Sequence, residues 1–301
     1  MAAINTGNFG KLLWPGLNQV YGDSYKEYPV EWKEIFSVNK SRKAFEEDMS
    51  TSWFGLAQQM GEGQGVSYDV AQQGFVDRYT HVKYGLGFII TKEMVEDDQY
   101  DVIGNKKAKA LAFSMRQTRE TVAANILNRA FNSNYTYGDG KELCNSVRPN
   151  VRGGTWSNII SVAADISETT LEQAVIDIAK FKNDASLAIA VRPRKIVIPV
   201  DQQFEVEKIM KTEYEVGTNN NTVNVVRHQF PGGVVVNHYL TDTDAWFILT
   251  DVSDGMKCFE RRAEDFSMDD DFDTDNAKFK ATARYSYGAT DKRCIYGSAG
   301  A

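Results

Sequence analysis

The stretch GFVDRYTHVKYGLGFIITKEMVEDD, residues 74–98, reads as one long extended run that turns directly into a helix. Phe75, Tyr79, Val82, Tyr84, Leu86, Phe88 and Ile89 are the aromatic and branched side chains that fit a pleated surface, whereas Asp77, Arg78, His81 and Lys83 put polar groups on both faces. Strands in globular proteins usually stop near about 5 or 6 residues, so a run roughly twice that length without an apolar side has to find partners outside its own core. The preceding residues supply a second extended stretch: within WFGLAQQMGEGQGVSYDVAQQGFVDRYTHVKYGLGFIIT, residues 53–91, Gly61, Gly63 and Gly65 predict a flexible hairpin tip. An isolated two-stranded hairpin is marginal in water. The length of this one is therefore read as reach.

Downstream, Leu111, Met115, Thr118, Val122 and Ile126 recur at spacings of 3 and 4 and predict one long helix from about Asp98 to Phe131, with Gly104 as a bend. Asp97 and Asp98 near its start and Arg129 near its end complement its dipole. A Gly-rich connection follows, then a helix through Leu171, Ala174, Val175, Ile178 and Phe181, with Thr169 and Glu172 as its expected capping box. Lys195 to Pro199 is a buried-type strand, and Asp201 is the expected cap of a helix through Phe204, Val206, Ile209 and Met210. The loop that follows has a polar tip at Asn219, Asn220 and Asn221. Strands are expected at VVVNHYL (234–240), AWFILTD (245–251) and MKCFERR (256–262), and over Phe279, Ala281, Ala283, Tyr285 and Tyr287, which alternate. Residues 1 to about 50 are aromatic but without a sustained period, and the firmest element there is a short helix over SRKAFEED, capped by Ser41. That segment is read as an arm lying on something else.

Composition narrows the function. With 301 residues, 42% hydrophobic and 25% charged, the chain can bury a substantial core and is not intrinsically disordered. A formal charge of −7 gives no basic footprint for gripping nucleic acid, so any DNA contact is expected to be weak and non-specific. No apolar run approaches the roughly 20 residues of a membrane span, and the start lacks the order of a signal peptide. Cys144, Cys258 and Cys294 are far apart and odd in number, which favours buried thiols over a disulfide framework or zinc site. His81, His228 and His238 form no metal-ligand motif, and His81 is expected at the surface. GEGQG lacks the helix and final glycine of a dinucleotide loop. Asp271, Asp273 and Asp275 have the spacing that starts an EF-hand, but Asn276 and Thr282 stand where glycine and glutamate are required. No catalytic residue, metal or cofactor is expected.

The order of parts, and above all GLNQVYGDSYKEYPVEWKEIFSV, RKAFEED, AFSMRQTRE, NRAFNS, FPGGVVVNHYLTDTDAWFI, FERR and DFDTDNAKFKATARYSYG, resembles the major capsid (head) protein of tailed bacteriophages, in the Mu-type major head subunit group. The resemblance covers nearly the whole chain. It implies an α+β fold of the kind named after phage HK-ninety-seven: an N-terminal arm (1–50), an extended E-loop hairpin (51–92), a peripheral domain with a long spine helix (93–154), an axial domain (155–248) and C-terminal peripheral strands (249–301).

The resemblance also implies self-assembly as pentamers and hexamers into an icosahedral shell around double-stranded DNA, made in a host bacterial cytoplasm and ending in the virion. Portal and scaffolding proteins are the expected partners, with a decoration protein as an optional one. Because the chain starts close to the arm, the scaffold is expected to be a separate protein. Lys83 and Asn219 to Asn221 carry no matching motif for the lysine–asparagine crosslink of some relatives, and none is expected. Contacts between copies are expected at Arg42, Lys43, Gly61, Gly63, Gly65, Tyr68, Arg78, Tyr79 and Lys83, and an axial loop at Asn219, Asn220 and Asn221. Two rival readings are an encapsulin-type shell holding enzyme cargo and a soluble α/β enzyme that would run as a compact monomer.

Overall fold

A computed structural model describes residues 10–91, 93, 100–214, 223–270 and 276–301. The polar tip at Asn219 to Asn221, the acidic residues Asp271, Asp273 and Asp275, and the helix-start pair Asp97 and Asp98 lie outside the described residues. Four sheets and a long helix organise the rest. In chain order the elements are α1 (Gly10–Lys26), α2 (Trp32–Ile35), β1 (Ser37–Lys40), β2 (Phe45–Thr51), β3 (Gln73–Thr80), β4 (Val82–Ile90), α3 (Tyr100–Asn128), β5 (Arg148–Pro149), β6 (Thr155–Trp156), α4 (Glu168–Ala179), β7 (Pro193–Ile198), α5 (Gln203–Lys211), β8 (Val234–Val236), β9 (Trp246–Thr250), β10 (Met256–Asp270), β11 (Ala277–Ala289) and β12 (Ile295–Ser298).

The spine is α3, 29 residues long, or about 44 Å at 1.5 Å per residue. Its Ala108, Leu111, Ala112 and Met115 are buried against the inner face of the sheet β1-β10-β11-β4. The alternation expected along β11 is observed: Phe279, Ala281, Ala283 and Tyr285 are all buried. Phe88 stacks on Phe279 at 4.8 Å and Tyr84 on Tyr285 at 4.9 Å across the β4–β11 pair.

The second sheet, β12-β9-β7-β8, is covered on both faces. Ile196, Ile198, Trp246, Ile248 and Tyr296 face Leu171, Ala174 and Ile178 of α4 and Val206 and Ile209 of α5. On the other face Val197, Phe247, Leu249 and Ile295 pack with Ala123, Leu127 and Ala130 of the spine region. That double burial explains why AWFILTD is an unbroken apolar run. β12 belongs to this sheet, so the C-terminus crosses back from the region of the β10–β11 hairpin.

Several local expectations are corrected. Ser167 with Thr170 forms the capping box of α4, two residues ahead of the expected Thr169 and Glu172, because Ser167 is the last extended residue. Asp201 lies inside a 3-10 turn, Val200–Gln202, that leads into α5, and no side-chain cap bond forms there. SRKAFEED is not a helix: its second half is β2, paired antiparallel with β3, so tertiary pairing overrides the cap-like Ser41. Residues 10–26 form a helix despite Pro15, Gly16 and Gly22, with Leu17 and Tyr21 buried against the spine. The Arg116 guanidinium donates to Tyr25 O at 2.6 Å, and the Glu120 carboxylate accepts the Trp32 and Glu31 amides at 2.9 and 3.1 Å. Arg119 pairs with Glu260 at 2.7 Å and lies over the Trp32 ring. The described part of the expected arm is therefore stapled to its own spine.

Candidate assembly surface

Within the 74–98 run, residues 74–90 form two strands in two different sheets. Thr80 is the last residue paired with β2, and Val82 the first paired with β11. β2 and β3 form a separate two-stranded ribbon, lengthened by Ser52 N–H to Gln72 O at 3.0 Å. The tip glycines thus belong to a hairpin whose arms are β2 and β3. The charge on both faces of the run is explained by this partner change.

The base of the ribbon is fixed to its own subunit. Asp77 and Lys292 form a buried ion pair, and Asp77 Oδ1 also accepts the Gly138 amide at 2.9 Å. Burial pulls the Lys292 ammonium below its ordinary pKa. Asp48 accepts from Lys257 at 2.5 Å and from Thr290 at 2.9 Å. Burial pushes the Asp48 carboxyl up, but these hydrogen bonds outweigh it and leave the pKa lowered. A Cβ at Gly138 would sit 2.1 Å from Val76 O, so only glycine lets the 138–141 turn close on the ribbon.

The far end of the ribbon is different. Residues 53–71 form no regular strand or helix, and Leu56 is 79% and Tyr68 94% exposed, with Trp53, Phe54, Val66 and Val70 also exposed. The loop keeps a defined course: Gly55 N–H donates to Asp69 at 2.7 Å, and Arg152 reaches the same carboxylate at 3.4 Å. Gly61, Gly63 and Gly65 are at the tip, where Gln64 N–H donates to Gly61 O and Gly63 has φ +78°. A surface that holds several large apolar side chains in water on a firm base is suited to docking, not to chemistry.

The other expected contact residues divide. Arg42 and Lys43 lie in the turn before β2, with Lys43 3.4 Å from Glu46. Arg78 lies over the Phe45 ring at 3.8 Å, and Lys83 is exposed opposite Arg284. Tyr79 is turned inward: it is buried, its hydroxyl is 2.7 Å from Thr290 Oγ1, and its ring meets Phe259 edge-on. This side chain is committed to its own chain and unavailable to a neighbour. His81, expected at the surface, is also buried, between Ser286 at 2.9 Å and Ser41 at 3.0 Å. Neither the burial of His81 nor the partners of Asp77 and Asp48 had a local sequence signal, because Ser286, Lys292 and Lys257 lie about two hundred positions away in the chain.

The cysteines are buried, and burial pushes the Cys144 thiol up to about 12, far from a nucleophile's range. Among the described residues no group of three or more His, Cys, Asp or Glu side chains could hold a metal ion.

A family model described as phage capsid protein matches residues 76–298. No curated protein sequence matches the chain. Among solved structures, a virus-like particle from Pyrococcus furiosus aligns with TM-score 0.56 at 13% identity, covering 94% of this chain and 98% of that one. The procapsid of bacteriophage JBD30 aligns with TM-score 0.55 at 14% identity, over 98% of this chain and 76% of its own. The capsid of cyanophage P-SCSP1u aligns with TM-score 0.55 at 9% identity, over 91% and 88%.

Proposed function

The chain belongs to the phage capsid protein family, and from that premise we propose that it is the major shell subunit of a phage head, docking its ribbon and 53–71 loop onto sister copies. The observation that carries this reading is the contrast between a ribbon base held by buried charge pairs and a tip that leaves Trp53, Phe54, Leu56, Val66, Tyr68 and Val70 in water.

Magnitudes explain why such a contact works in a shell. Burying one large apolar side chain is worth about 1.5–3 kcal/mol, while bringing two molecules together costs about 4–15 kcal/mol. One loop on one neighbour is close to break-even. Each subunit both gives and receives such a contact, so closure multiplies modest interfaces into a stable container.

In this reading the subunits form pentamers and hexamers of an icosahedral shell around double-stranded DNA. The division into arm 1–50, extended loop 51–92, peripheral 93–154 and 249–301, and axial 155–248 serves that geometry, with Asn219 to Asn221 at the capsomer centres. Portal, separate scaffolding and optional decoration proteins are the partners, the host cytoplasm the place of assembly, and the virion the destination. The charge of −7 keeps contact with the packaged DNA weak. The likeness to the Pyrococcus virus-like particle fits an encapsulin-type shell equally well in fold, whereas the family match favours the head. Negative-stain microscopy of particles purified from producing cells decides: DNA-filled heads support the reading, shells holding enzyme cargo support the encapsulin-type alternative, and monomers without shells overturn both.

A further inference from the structure

One residue joins the ribbon to the main sheet. His81 is the residue between β3 and β4, and its ring is buried where β1, β2 and β11 converge. Its hydrogen bonds assign its protons. Ser41 donates its one hydroxyl proton to Glu46 Oε1 at 2.7 Å and accepts the Lys43 amide at 3.2 Å. Facing that oxygen at 3.0 Å, His81 Nε2 has to be the donor. In a neutral ring Nδ1 is then left to accept the Ser286 hydroxyl proton at 2.9 Å. The neutral form of this imidazole thus has a single tautomer, joining the turn after β1 to β11 at the junction of the ribbon and the main sheet.

We propose that His81 is a positioning residue that works as a pH-responsive latch: the neutral ring holds the ribbon at its angle to the sheet, and protonation releases it. A proton on Nδ1 would turn that acceptor into a donor to the Ser286 oxygen, keeping the bond but placing a buried positive charge beside Arg284 and Arg261, and this charge is what loosens the junction. The charged groups facing the ring are Arg284 of β11, whose Nε donates to His81 O at 3.3 Å, Arg261 of β10 and Glu46 of β2. Burial and then Arg284 hold the His81 pKa below its ordinary value; Glu46 opposes them and Arg261 adds to them.

The sign follows by linkage. The latched state has the lower pKa and the released state the ordinary one near about 6.5, so the latch is at full strength above that pH and weakens as pH falls below it, until the latched-state pKa is reached. For each pH unit of depression, the released population rises by up to about tenfold.

Hydrogen exchange on the full-length unassembled subunit between pH 7.5 and 5, corrected for intrinsic exchange, tests this with the spine as internal reference. The expected result is a selective loss of protection over residues 45–51 and 73–80 in the natural protein. H81Q should give a flat profile, E46Q a transition moved to higher pH, because losing the carboxylate depresses the latched-state pKa further, and R261Q one moved to lower pH. An unchanged profile in the natural protein, or a transition that H81Q retains or that E46Q and R261Q leave in place, overturns the latch. The consequence for assembly rests on the ribbon being the reaching element. Release by acid with shell yield unchanged would retain the latch and count against that role.

Discussion

Lys292 and Asp77, separated by 215 positions in the sequence, form an ion pair buried on both sides beneath the ribbon. A charge pair taken out of water gains little over an apolar pair of the same shape, but removing one partner leaves the other uncompensated, at a cost of about 3–5 kcal/mol. D77A and K292A are each expected to lower stability in denaturant unfolding by that amount. The double variant should cost clearly less than the sum, and strict additivity would show that the pair is not coupled.

Glu264 of β10 accepts a hydrogen bond from Tyr21 of α1, and burial pushes its carboxyl up to about 8. The folded chain therefore holds a proton that the unfolded chain releases at an ordinary carboxylate pKa near about 4.3. The sign is the reverse of the usual carboxylate. The stabilisation is complete below about 4.3, is lost progressively as pH rises, and is gone above the folded value. Thermal unfolding between pH 5 and 9 should show Tm falling faster in the natural protein than in E264Q. Parallel profiles would mean that Glu264 is already ionised at neutral pH.

What the sequence disclosed follows the range of the interactions. The spine and the β11 alternation are local periodicities: Leu111 and Met115 four residues apart, Phe279 to Tyr285 on one face, all buried as expected. The strand β9 and the buried character of β7 were also legible. The helix α1 was not, since Pro15, Gly16 and Gly22 argue against it locally and its formation draws on docking of Leu17 and Tyr21 against the spine. The break at His81 was hidden for a similar reason: TYR-like strand formers continue across it, and only β2 and β11, far away in the chain, decide where one sheet ends and the other begins. Exposure of the loop side chains was legible only as polarity and glycine content, which does not distinguish the exposed Tyr68 from the buried Tyr79.

Gly138 tests the closed base directly. A methyl group there would have to displace Val76 O or the 138–141 turn that Asp77 holds. G138A is expected to cost about 1–3 kcal/mol in denaturant unfolding, in the range of overpacking substitutions. G65A, at an exposed tip position with nothing within 4 Å, should be nearly neutral for folding. Equal effects would mean that the turn is free to move off the ribbon.

Arg78 separates folding from assembly. Its guanidinium lies over Phe45 and is 3.9 Å from Glu47, both on the ribbon, and its side chain is 56% exposed. An exposed pair of this kind is worth about 1 kcal/mol or less. R78E should leave the unfolding midpoint nearly unchanged while lowering the yield of sedimenting particles. Normal particle yield would remove Arg78 from the contact.

The loop's apolar side chains give the sharpest test of the shell reading. Leu56 and Tyr68 are so exposed in the single chain that polar replacement removes no internal packing. If they insert into a sister copy, L56D and Y68D each forfeit about 1.5–3 kcal/mol of burial and add a desolvated charge, so a contact near break-even falls below the threshold for closure. Circular dichroism and unfolding midpoints should match the natural protein, while sedimentation and negative stain show subunits or small oligomers in place of particles. Wild-type yields of closed shells from both variants would show that the 53–71 loop is not what holds neighbours together.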